Sequence, residues 1–570
     1  MKSGCEAKEV AKNRSISLPV LAGGASQPNE VRASKTSRWR AVALISLNLL
    51  MIAHIIQWRV TGSTISPIEP SETMYTLQNG AVNAGVIFFT LAILATLIFG
   101  RFVCGWGCHI VSLQDLCGWL MKKIGITPRP FRSRLLVYVP LIVALYMFVW
   151  PTLARYLFKL AAEPLFPQFT NHIVTTEFWA TFPTVAVAIP FLFICGFMTV
   201  YFLGAKGFCT YGCPYGGFFG VADKFAPGKI RVTDACNQCG HCTATCTSNV
   251  IVHAEVKQFG MVVDPGCMKC MDCVSVCPND ALYFGFGKPT VLAKPASVSV
   301  GVPAIQRNYS LTWPEEILAA AIFAASYFAV WNVYQLVPML MSLGIAAVTT
   351  FIAMRAIKIF RAENLSFHRF NLKAVGQIKQ AGWGFLLFAF VWTGLIGHSG
   401  WVRYHESAGA AAFQSLHIPD ELALARPDPK QWLDQNDRTM ITEGKRHLAT
   451  ATNFGLFTNS EALPKLAWFE YLSGNSERAV EMLTLSATHQ NGPSKAMSLY
   501  YRGAILNRSG RHDEAILSLD QALAERPDLA TALEEKGEAV WQLGRREDAV
   551  SIWSAAVRIN PRLPIANSML

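Results

Sequence analysis

The 570 residues are 52% hydrophobic and only 15% charged, whereas soluble proteins carry about 25% charged residues, so an ordinary soluble protein is excluded. The net charge of +12 does not indicate nucleic-acid binding, because the chain has no basic stripe with interleaved aromatic residues. Basic loops retained in the cytoplasm explain the excess of Lys and Arg. The composition therefore predicts a membrane protein.

The N-terminal segment, residues 1–38, is polar and leads into the basic run 35-KTSRWR-40. No small-residue cleavage site follows the first apolar stretch, so we expect a retained membrane helix rather than a signal peptide. About seven apolar stretches are long enough to cross the roughly 30 Å of hydrocarbon in a bilayer. They cover residues 41–57, 81–100, 135–154, 178–203, 315–333, 338–354 and 381–398. The predicted fold class is a mainly α-helical membrane protein.

These stretches divide the rest of the chain into four predicted regions. The regions are a four-helix membrane domain over 39–203, a cysteine-rich region over 204–312, a second membrane region of about three helices over 313–403, and a C-terminal domain over 404–570.

Lys and Arg concentrate in the loops 101–134 and 355–380. The loop 58–80 instead carries Glu69 and Glu72. Because basic residues stay in cytoplasmic loops, this asymmetry predicts a cytoplasmic N-terminus and a cytoplasmic cysteine-rich region. An odd number of spans places the C-terminal domain in the periplasm of a bacterial inner-membrane protein, and an even number places it in the cytoplasm.

Two features are weak candidates for contact with a quinone. Glu69 and Glu72 stand in 66-SPIEPSE-72, an outer loop that two prolines stiffen. They are compatible with a quinol contact and equally with a solvated loop. His54 lies inside the first apolar stretch, where a polar residue is often functional. It is a candidate quinone or haem contact, or a histidine hydrogen-bonded to a neighbouring helix.

The region 204–312 contains two four-cysteine runs, 236-CNQCGHCTATC-246 and 267-CMKCMDCVSVC-277. Both have the C-x2-C-x2-C-x3-C spacing of bacterial ferredoxins, in which the fourth Cys ligates the other cluster. Zinc sites instead use C-x2-C pairs separated by about a dozen residues or more. The predicted ligands are Cys236, Cys239, Cys242 and Cys277 for one [4Fe–4S] cluster, and Cys267, Cys270, Cys273 and Cys246 for the other.

The residues that follow the two runs complete the predicted domain. The segments 249–256 and 280–287 are expected to form the short strands of an inserted two-cluster, α+β ferredoxin fold. Two clusters with full ligand sets suit a relay for single electrons rather than a catalytic pocket.

Four further cysteines form two matching pairs, 104-CGWGC-108 and 209-CTYGC-213. Each pair follows an apolar stretch, which indicates an internal duplication of a two-helix unit with both copies in the same orientation. Side by side at the inner membrane surface, the four thiols are expected to hold a third metal centre, either a cluster or copper. The alternatives are a redox-active thiol pair and buried thiols that only pack.

Single cysteines and a neighbouring histidine have weaker roles. Cys117 and Cys195 are expected to be packing thiols. His109, beside Cys108, is a possible extra ligand.

The C-terminal region repeats with a period of 34 residues, which is the period of the tetratricopeptide repeat. Small residues recur at this spacing, as in Gly503 and Gly537 or Ala515 and Ala549. Small side chains allow the two helices of each unit to pack closely. About three units are expected to form an α-solenoid whose concave side binds a peptide or a partner protein. The alternative is a plain helical bundle.

The paired C-x3-C motifs beside two ferredoxin runs and membrane helices resemble the polyferredoxin membrane proteins. These include the NapH-type quinol dehydrogenase component of periplasmic nitrate reduction and the NosR-type protein of nitrous oxide respiration. The resemblance covers about residues 41–290. The relatives commonly carry C-x3-C-P at both sites, whereas His109 replaces the first proline here. The resemblance implies electron flow between the quinone pool and an acceptor.

The expected function is membrane-bound iron–sulfur electron transfer between quinone, or a cytoplasmic donor, and a partner protein docked by the repeats. The resemblance implies that the protein acts as a component similar to a quinol dehydrogenase. Expected cofactors are two [4Fe–4S] clusters, a third metal centre and quinone. The rivals are a maturation or copper-handling factor that reduces metal for a respiratory enzyme, and a membrane redox sensor.

Overall fold

The computed structural model describes residues 32–157, 168–176, 184–295, 309–425, 431–563 and 568–569. The chain forms two compact units. One unit contains the chain up to Tyr327 together with Leu340–Trp392, and the other contains Phe328–Met339 together with Thr393–Leu570. The first unit carries all the cysteines discussed above, and the second carries the repeats.

The helices of the first unit are mostly apolar. They are α1 Lys35–Thr61, α2 Thr73–Asn79, α3 Ala84–Phe99, α4 Phe102–Trp106, α5 His109–Lys123, α6 Val139–Phe148, α7 Trp150–Leu157, α8 Val185–Leu192, α9 Thr199–Leu203, α10 Gly207–Tyr211, α11 Pro214–Phe225, α12 His241–Thr245, α13 Val252–Phe259, α14 Asp272–Ser275, and α15 Trp313–Val330, which ends in the second unit. A π-helical turn, Phe193–Met198, joins α8 to α9. Then follow α16 Met339–Arg361 and α17 Gln380–Ser415, both of which are shared with the second unit.

The strands are short. They are β1 Thr64–Ile65, β2 Ala81–Val82, β3 Thr170–Asn171, β4 Val174–Thr175, β5 Gly228–Val232, β6 Leu282–Phe286, β7 Leu365–Phe367, β8 Phe370–Ala374 and β9 Gln377–Ile378. β1 pairs with β4, β2 with β3, and β7, β8 and β9 form one antiparallel sheet.

Within the described residues, five helices are long and apolar enough to cross a membrane: Lys35–Thr61, Val185–Leu203, Trp313–Val330, Met339–Arg361 and Gln380–Ser415. The other two predicted spans correspond to shorter apolar helices, Ala84–Phe99 and Leu136–Phe148. The protein is therefore a mostly helical membrane protein, and the count of seven spans stays a prediction.

Burial separates the helices into central and peripheral ones. Of the most apolar window of α16, 72% is buried, against 6% for α1. Small residues allow α16 this position: at Gly344, a Cβ atom would lie 3.1 Å from the Cys195 sulfur. Close approach at small residues is the usual way in which membrane helices associate. The apolar side chains of α1, such as Leu49 and Leu50, are exposed instead, as suits a lipid-facing helix.

The ferredoxin segment is built on one antiparallel ladder, in which β5 pairs with β6 from Gly228↔Phe286 to Val232↔Leu282. The predicted strand over 280–287 is confirmed as β6. The predicted strand over 249–256 is wrong, because Val252–Phe259 is the helix α13. Val252 and Val256 are both buried and are four residues apart. This spacing places two side chains on the same face of either a helix or a strand. The strand that pairs with β6 precedes the first cysteine run.

The second unit contains the helices α18 Asp420–Ala425, α19 Gln435–Phe454, α20 Ala462–Leu472, α21 Ser476–His489, α22 Gly492–Arg508, α23 His512–Glu525, α24 Ala530–Gln542 and α25 Arg546–Ile559. The last six form three helix pairs. A Cβ atom at Gly503 would lie 2.6 Å from Leu519 Cγ, and one at Gly537 would lie 2.3 Å from Trp553 Nε1. The recurring glycines therefore permit close packing within these two pairs, as the repeat pattern predicted.

Candidate iron–sulfur site

The first predicted ligand set surrounds one cavity. Cys236, Cys239, Cys242 and Cys277 all line this cavity. The cavity therefore brings the last cysteine of the second run to the first three of the first run, as the crosswise pattern requires. His241 also lines this cavity; it is 1% exposed, and neither ring nitrogen has a hydrogen-bond partner among the described residues.

The second predicted set also comes together. Cys246 lies within electrostatic range of Cys267 and Cys270, and Cys273 lies within range of those three and of Cys242. The cysteines of the two sets thus face each other through Cys273 and Cys242. That proximity suits electron exchange between two centres.

The two runs have matching backbones. Gln238 and Lys269, the third residues of their runs, have φ values of 61° and 51°. Gly240 and Met271, the fifth residues, have φ values of 79° and 63°. A left-handed non-glycine residue costs about 1–2 kcal/mol, so its recurrence at equivalent positions indicates a local fold shaped around the same kind of group.

The chemistry of these thiols fits a metal cluster. Burial, together with neighbouring charge, raises the pKa of Cys242 and of Cys270 to about 12. Thiols with such pKa values remain protonated at neutral pH unless a cation displaces the proton. All fourteen cysteines of the described residues are free thiols. These thiols are therefore suited to bind iron, because the positive charge of the metal stabilises each thiolate.

Nowhere in the described parts of the chain are three His, Cys, Asp or Glu side chains close enough together to hold one metal ion. A tetrahedral zinc site with Zn–S bonds of about 2.3 Å needs sulfurs within about 4 Å of one another. A cube of iron and sulfur holds its thiolates farther apart.

The two C-x3-C motifs also converge. Cys213 lies within electrostatic range of Cys209, Cys108 and Cys104, and Cys108 lies within range of Cys209 and Cys104. Gln114 of the first copy donates a hydrogen bond to the Cys209 sulfur of the second copy, at 3.2 Å. The four thiols therefore form one group, hereafter the paired-thiol site.

Two buried cations accompany the paired-thiol site. Arg101, 6% exposed, is hydrogen-bonded to Cys104 and lies within range of Cys209 and Cys213. Lys206, 1% exposed, lies within range of Cys209 and forms an ion pair with Asp115. Four thiolates in an apolar protein interior need compensating positive charge. Sequence reasoning missed these cations, although isolated charges beside apolar helices are a signal for such a role.

The chain turns back at each C-x3-C motif. Cys104 and Cys209 come shortly after the ends of α3 and α9, and α5 and α11 begin directly after Cys108 and Cys213. On α5, Asp115 pairs with Arg40 near the start of α1, and Ser112 accepts a hydrogen bond from Asn48, eight residues farther along α1. α5 therefore runs beside α1, while α11 packs against α3 and α6. The position of the four thiols at the inner membrane surface stays a prediction.

The paired-thiol site touches the loop that carries the second predicted cluster set. A Cβ atom at Gly105 would lie 2.2 Å from the Met268 carbonyl oxygen. Trp106 Nε1 donates to the Lys269 carbonyl at 3.1 Å, and Arg101 Nη1 donates to the Pro265 carbonyl at 2.8 Å. The chain between Cys104 and Cys108 is therefore in backbone contact with the chain between Cys267 and Cys270.

We expect Gly105→Ala to separate these two segments. The added methyl group would overlap a backbone oxygen, and overpacking of this kind costs about 1–3 kcal/mol. The free energy of unfolding should fall by this amount, as measured by urea denaturation followed by circular dichroism. The matched control is Gly118→Ala, because a Cβ atom at this buried glycine meets nothing within 4 Å. Equal free energies of unfolding in the two variants would contradict the contact.

A buried charge triad fixes the same contact. Asp223, at the end of α11, is fully buried and pairs with Lys229 Nζ at 2.6 Å and Lys269 Nζ at 2.8 Å. The backbone N–H of Arg101 donates to the same carboxylate at 3.1 Å. One acidic side chain thus joins the end of α3, β5 and the second cysteine run. Neither periodicity nor a motif singled out this residue.

The weaker candidates have structural explanations. His54 Nε2 lies 2.7 Å from Thr64 Oγ1 and 3.1 Å from the Ile65 carbonyl, which fits the hydrogen-bonded alternative. Cys117 is fully buried in an apolar cluster with Met121 and Val200, and Cys195 is also fully buried, which fits packing thiols. His109 begins α5 directly after Cys108.

Family models match three parts of the chain. A 4Fe-4S dicluster domain matches residues 235–282, and a tetratricopeptide repeat matches 470–530 and 508–564. A 4Fe-4S binding domain matches twice, over 83–127 and 185–233. Each of these two matches contains one C-x3-C motif, which supports the predicted duplication. The chain is thus a membrane protein with ferredoxin-type iron–sulfur domains and tetratricopeptide repeats.

Curated relatives agree with this class. The chain is 28% identical to YccM of Escherichia coli K12 over 40% of its own length and 63% of the relative's. It is 26% identical to the methylamine utilization ferredoxin-type protein MauN of Methylorubrum extorquens, over 43% of this chain and 86% of MauN. The chain is also 26% identical to the ferredoxin-type protein NapH of Escherichia coli K12, over 37% of this chain and 74% of NapH. The resemblance drawn from the motifs is confirmed.

Proposed function

We propose that this protein transfers electrons from membrane quinol to a partner protein, through three iron–sulfur centres. The predicted ligands are the two ferredoxin sets and the paired-thiol site, Cys104, Cys108, Cys209 and Cys213. Such clusters supply single-electron exchange. The observation that carries the proposal is the backbone contact of Gly105 with Met268, since it connects a thiol group among membrane helices to a ferredoxin.

A polar group beside the paired-thiol site supports quinol as the electron donor. The Tyr215 hydroxyl is buried, and it lies beside Ser71 and within electrostatic range of Cys213, Glu69 and Glu72. Glu72 is only 9% exposed, and the charge that acts on its carboxyl group is that of another acid, Glu69. A largely buried carboxyl group beside a like charge is a candidate for function.

Glu72 is suited to take a proton. Burial, and secondly the charge of Glu69, raise the pKa of Glu72 above its ordinary value. Oxidation of a quinol to a quinone releases two electrons and two protons, so an acceptor for protons must lie near the acceptor for electrons. The rings of Phe89 and Phe148 pack at 6.0 and 6.2 Å from the Tyr215 ring and provide an apolar wall for a quinone ring.

We expect Glu72→Gln to slow quinol-driven reduction by about a hundredfold or more, the range in which general bases act. Reduction by dithionite and the iron content should not change. Because the raised pKa belongs to a base that must be ionised, the wild-type rate should rise with pH and the variant should lose this dependence. The measurement is anaerobic stopped-flow bleaching with a soluble quinol analogue.

Glu69→Gln is the matched control, because Glu69 is less buried and already accepts a hydrogen bond from Ser71 Oγ at 3.3 Å. A small effect is expected there. Unchanged quinol oxidation in Glu72→Gln, or equal losses in the two variants, would exclude Glu72 as the proton acceptor.

The distribution of charge supports one assignment of the two sides of the membrane. The basic loops 101–134 and 355–380 favour the cytoplasm for the ferredoxin region. Glu72 then lies on the periplasmic side, and with seven spans the repeats also lie in the periplasm of the inner membrane. The repeats dock the protein partner of the electron-transfer chain.

A further inference from the structure

The inner face of the repeat array is lined by the first helix of each pair, α20, α22 and α24. Two of these first helices, α22 and α24, contact each other directly. In a curved array the closely spaced helices form the concave side. Peptide ligands of helical repeat proteins bind on this side, so its occupant decides whether the array is free to dock a partner.

A segment of the same chain occupies this face. Ala423 and Leu424 of α18 are 0% and 4% exposed and belong to the same apolar cluster as Phe469 and Tyr471. α18 packs against α22. This segment precedes the repeats and does not match their 34-residue pattern.

Side chains of the repeats donate hydrogen bonds to the segment, in the way that a binding groove holds a peptide ligand. Tyr471 OH donates to the Ala423 carbonyl at 3.2 Å, and Arg508 Nε donates to the Leu424 carbonyl at 2.7 Å. The Tyr501 hydroxyl donates to the Asp420 carboxylate. Three side chains from two repeats thus bind two backbone carbonyls and one carboxylate of a six-residue helix.

The donor Arg508 is fixed from the next repeat. Its two terminal nitrogens pair with Glu535 and with Glu538, each at 2.9 Å. Asn507 Nδ2 also contacts Glu535, at 3.3 Å. The guanidinium is therefore held in position by α24, and its Nε remains directed at the segment. Six residues are too few to form a stable helix alone, so the helical state of α18 depends on this groove.

We propose that the concave groove of the repeats is a peptide-binding site that the segment Asp420–Ala425 occupies as a tethered ligand. The partner presents a short helical peptide with the same pattern as this segment. In that pattern an acidic residue is followed, three and four residues later, by an alanine and a leucine. Partner binding displaces the segment. This proposal rests on the docking role of the repeats but not on the redox function.

The test is fluorescence anisotropy of a labelled peptide with the sequence LHIPDELALA, residues 416–425, added to the full-length protein in detergent micelles. The tethered copy has a high effective concentration, so the wild type should bind the peptide weakly. Asp420→Asn and Leu424→Ala weaken the tethered segment, and each should increase peptide affinity at least fivefold. Leu517→Ala, at a side chain 60% exposed on α23, is the control and should not change the affinity.

A second substitution separates binding from damage to the fold. Adding Arg508→Lys to Asp420→Asn keeps the charge but removes the Nε donor, and should abolish the gain. Circular dichroism establishes that each variant remains folded. If Asp420→Asn, folded, binds the peptide no better than the wild type, the segment is a fixed part of the domain and the proposal is wrong. The readout involves neither iron nor quinol, so failure of electron transfer leaves this result interpretable.

Discussion

Replacing Cys104 and Cys209 together by Ser is expected to lower the iron content from about twelve to about eight atoms per chain, since each cube holds four irons. The two sulfurs belong to different C-x3-C motifs, and the four thiols form one group. The low-temperature EPR signals of the ferredoxin clusters should remain. Quinol-driven reduction of these clusters should be lost, while dithionite still reduces them.

Cys117→Ser combined with Cys195→Ser provides the matched control. Both are fully buried cysteines in the same helical region, and neither lies in the paired-thiol site. Their replacement should leave the iron content unchanged. About eight irons in the wild type, with no change when Cys104 and Cys209 are replaced, would show that the paired-thiol site holds no cluster.

The second large effect is expected at Asp223. Replacement by Asn leaves the buried ammonium groups of Lys229 and Lys269 without their common counter-charge. Removing one partner from a buried ion pair costs about 3–5 kcal/mol. The urea concentration at which the brown ferredoxin absorbance disappears should therefore fall markedly in Asp223→Asn.

Asp234→Asn is the corresponding control, because Asp234 is an exposed carboxylate of the same ferredoxin segment. Its midpoint should match that of the wild type. A second variant, Lys269→Met, removes one of the two cations and should restore part of the stability when combined with Asp223→Asn. Full stability of Asp223→Asn alone would contradict the importance of the triad.

Motifs with a chemical reason for their spacing gave reliable predictions. The two cysteine runs predicted which thiols meet, because the fourth cysteine of each run must reach the other cluster, and Cys277 does line the cavity of the first set. The strand 249–256 was wrong because two buried valines four residues apart fit a helix face as well as a strand. Element type is ambiguous in short apolar segments of this kind.

Long-range ion pairs left no pattern in the chain. Asp223, Lys269 and Arg101 are far apart in sequence, and their types are common in any loop near a membrane. They matter for stability only because they meet in an apolar interior, where an unpaired charge is strongly destabilising.

The sequence by itself determined the class of the protein. Hydropathy, the cysteine spacing and the 34-residue period each follow from local chemistry: lipid solvation, thiolate geometry and the packing of one helix pair. The tertiary structure alone decided which distant groups meet: Gly105 contacts Met268, the segment Asp420–Ala425 contacts the repeats, and Tyr215 lies within electrostatic range of Glu72. Such contacts depend on how packed elements fill space, and that is a property of the whole fold rather than of any window of residues.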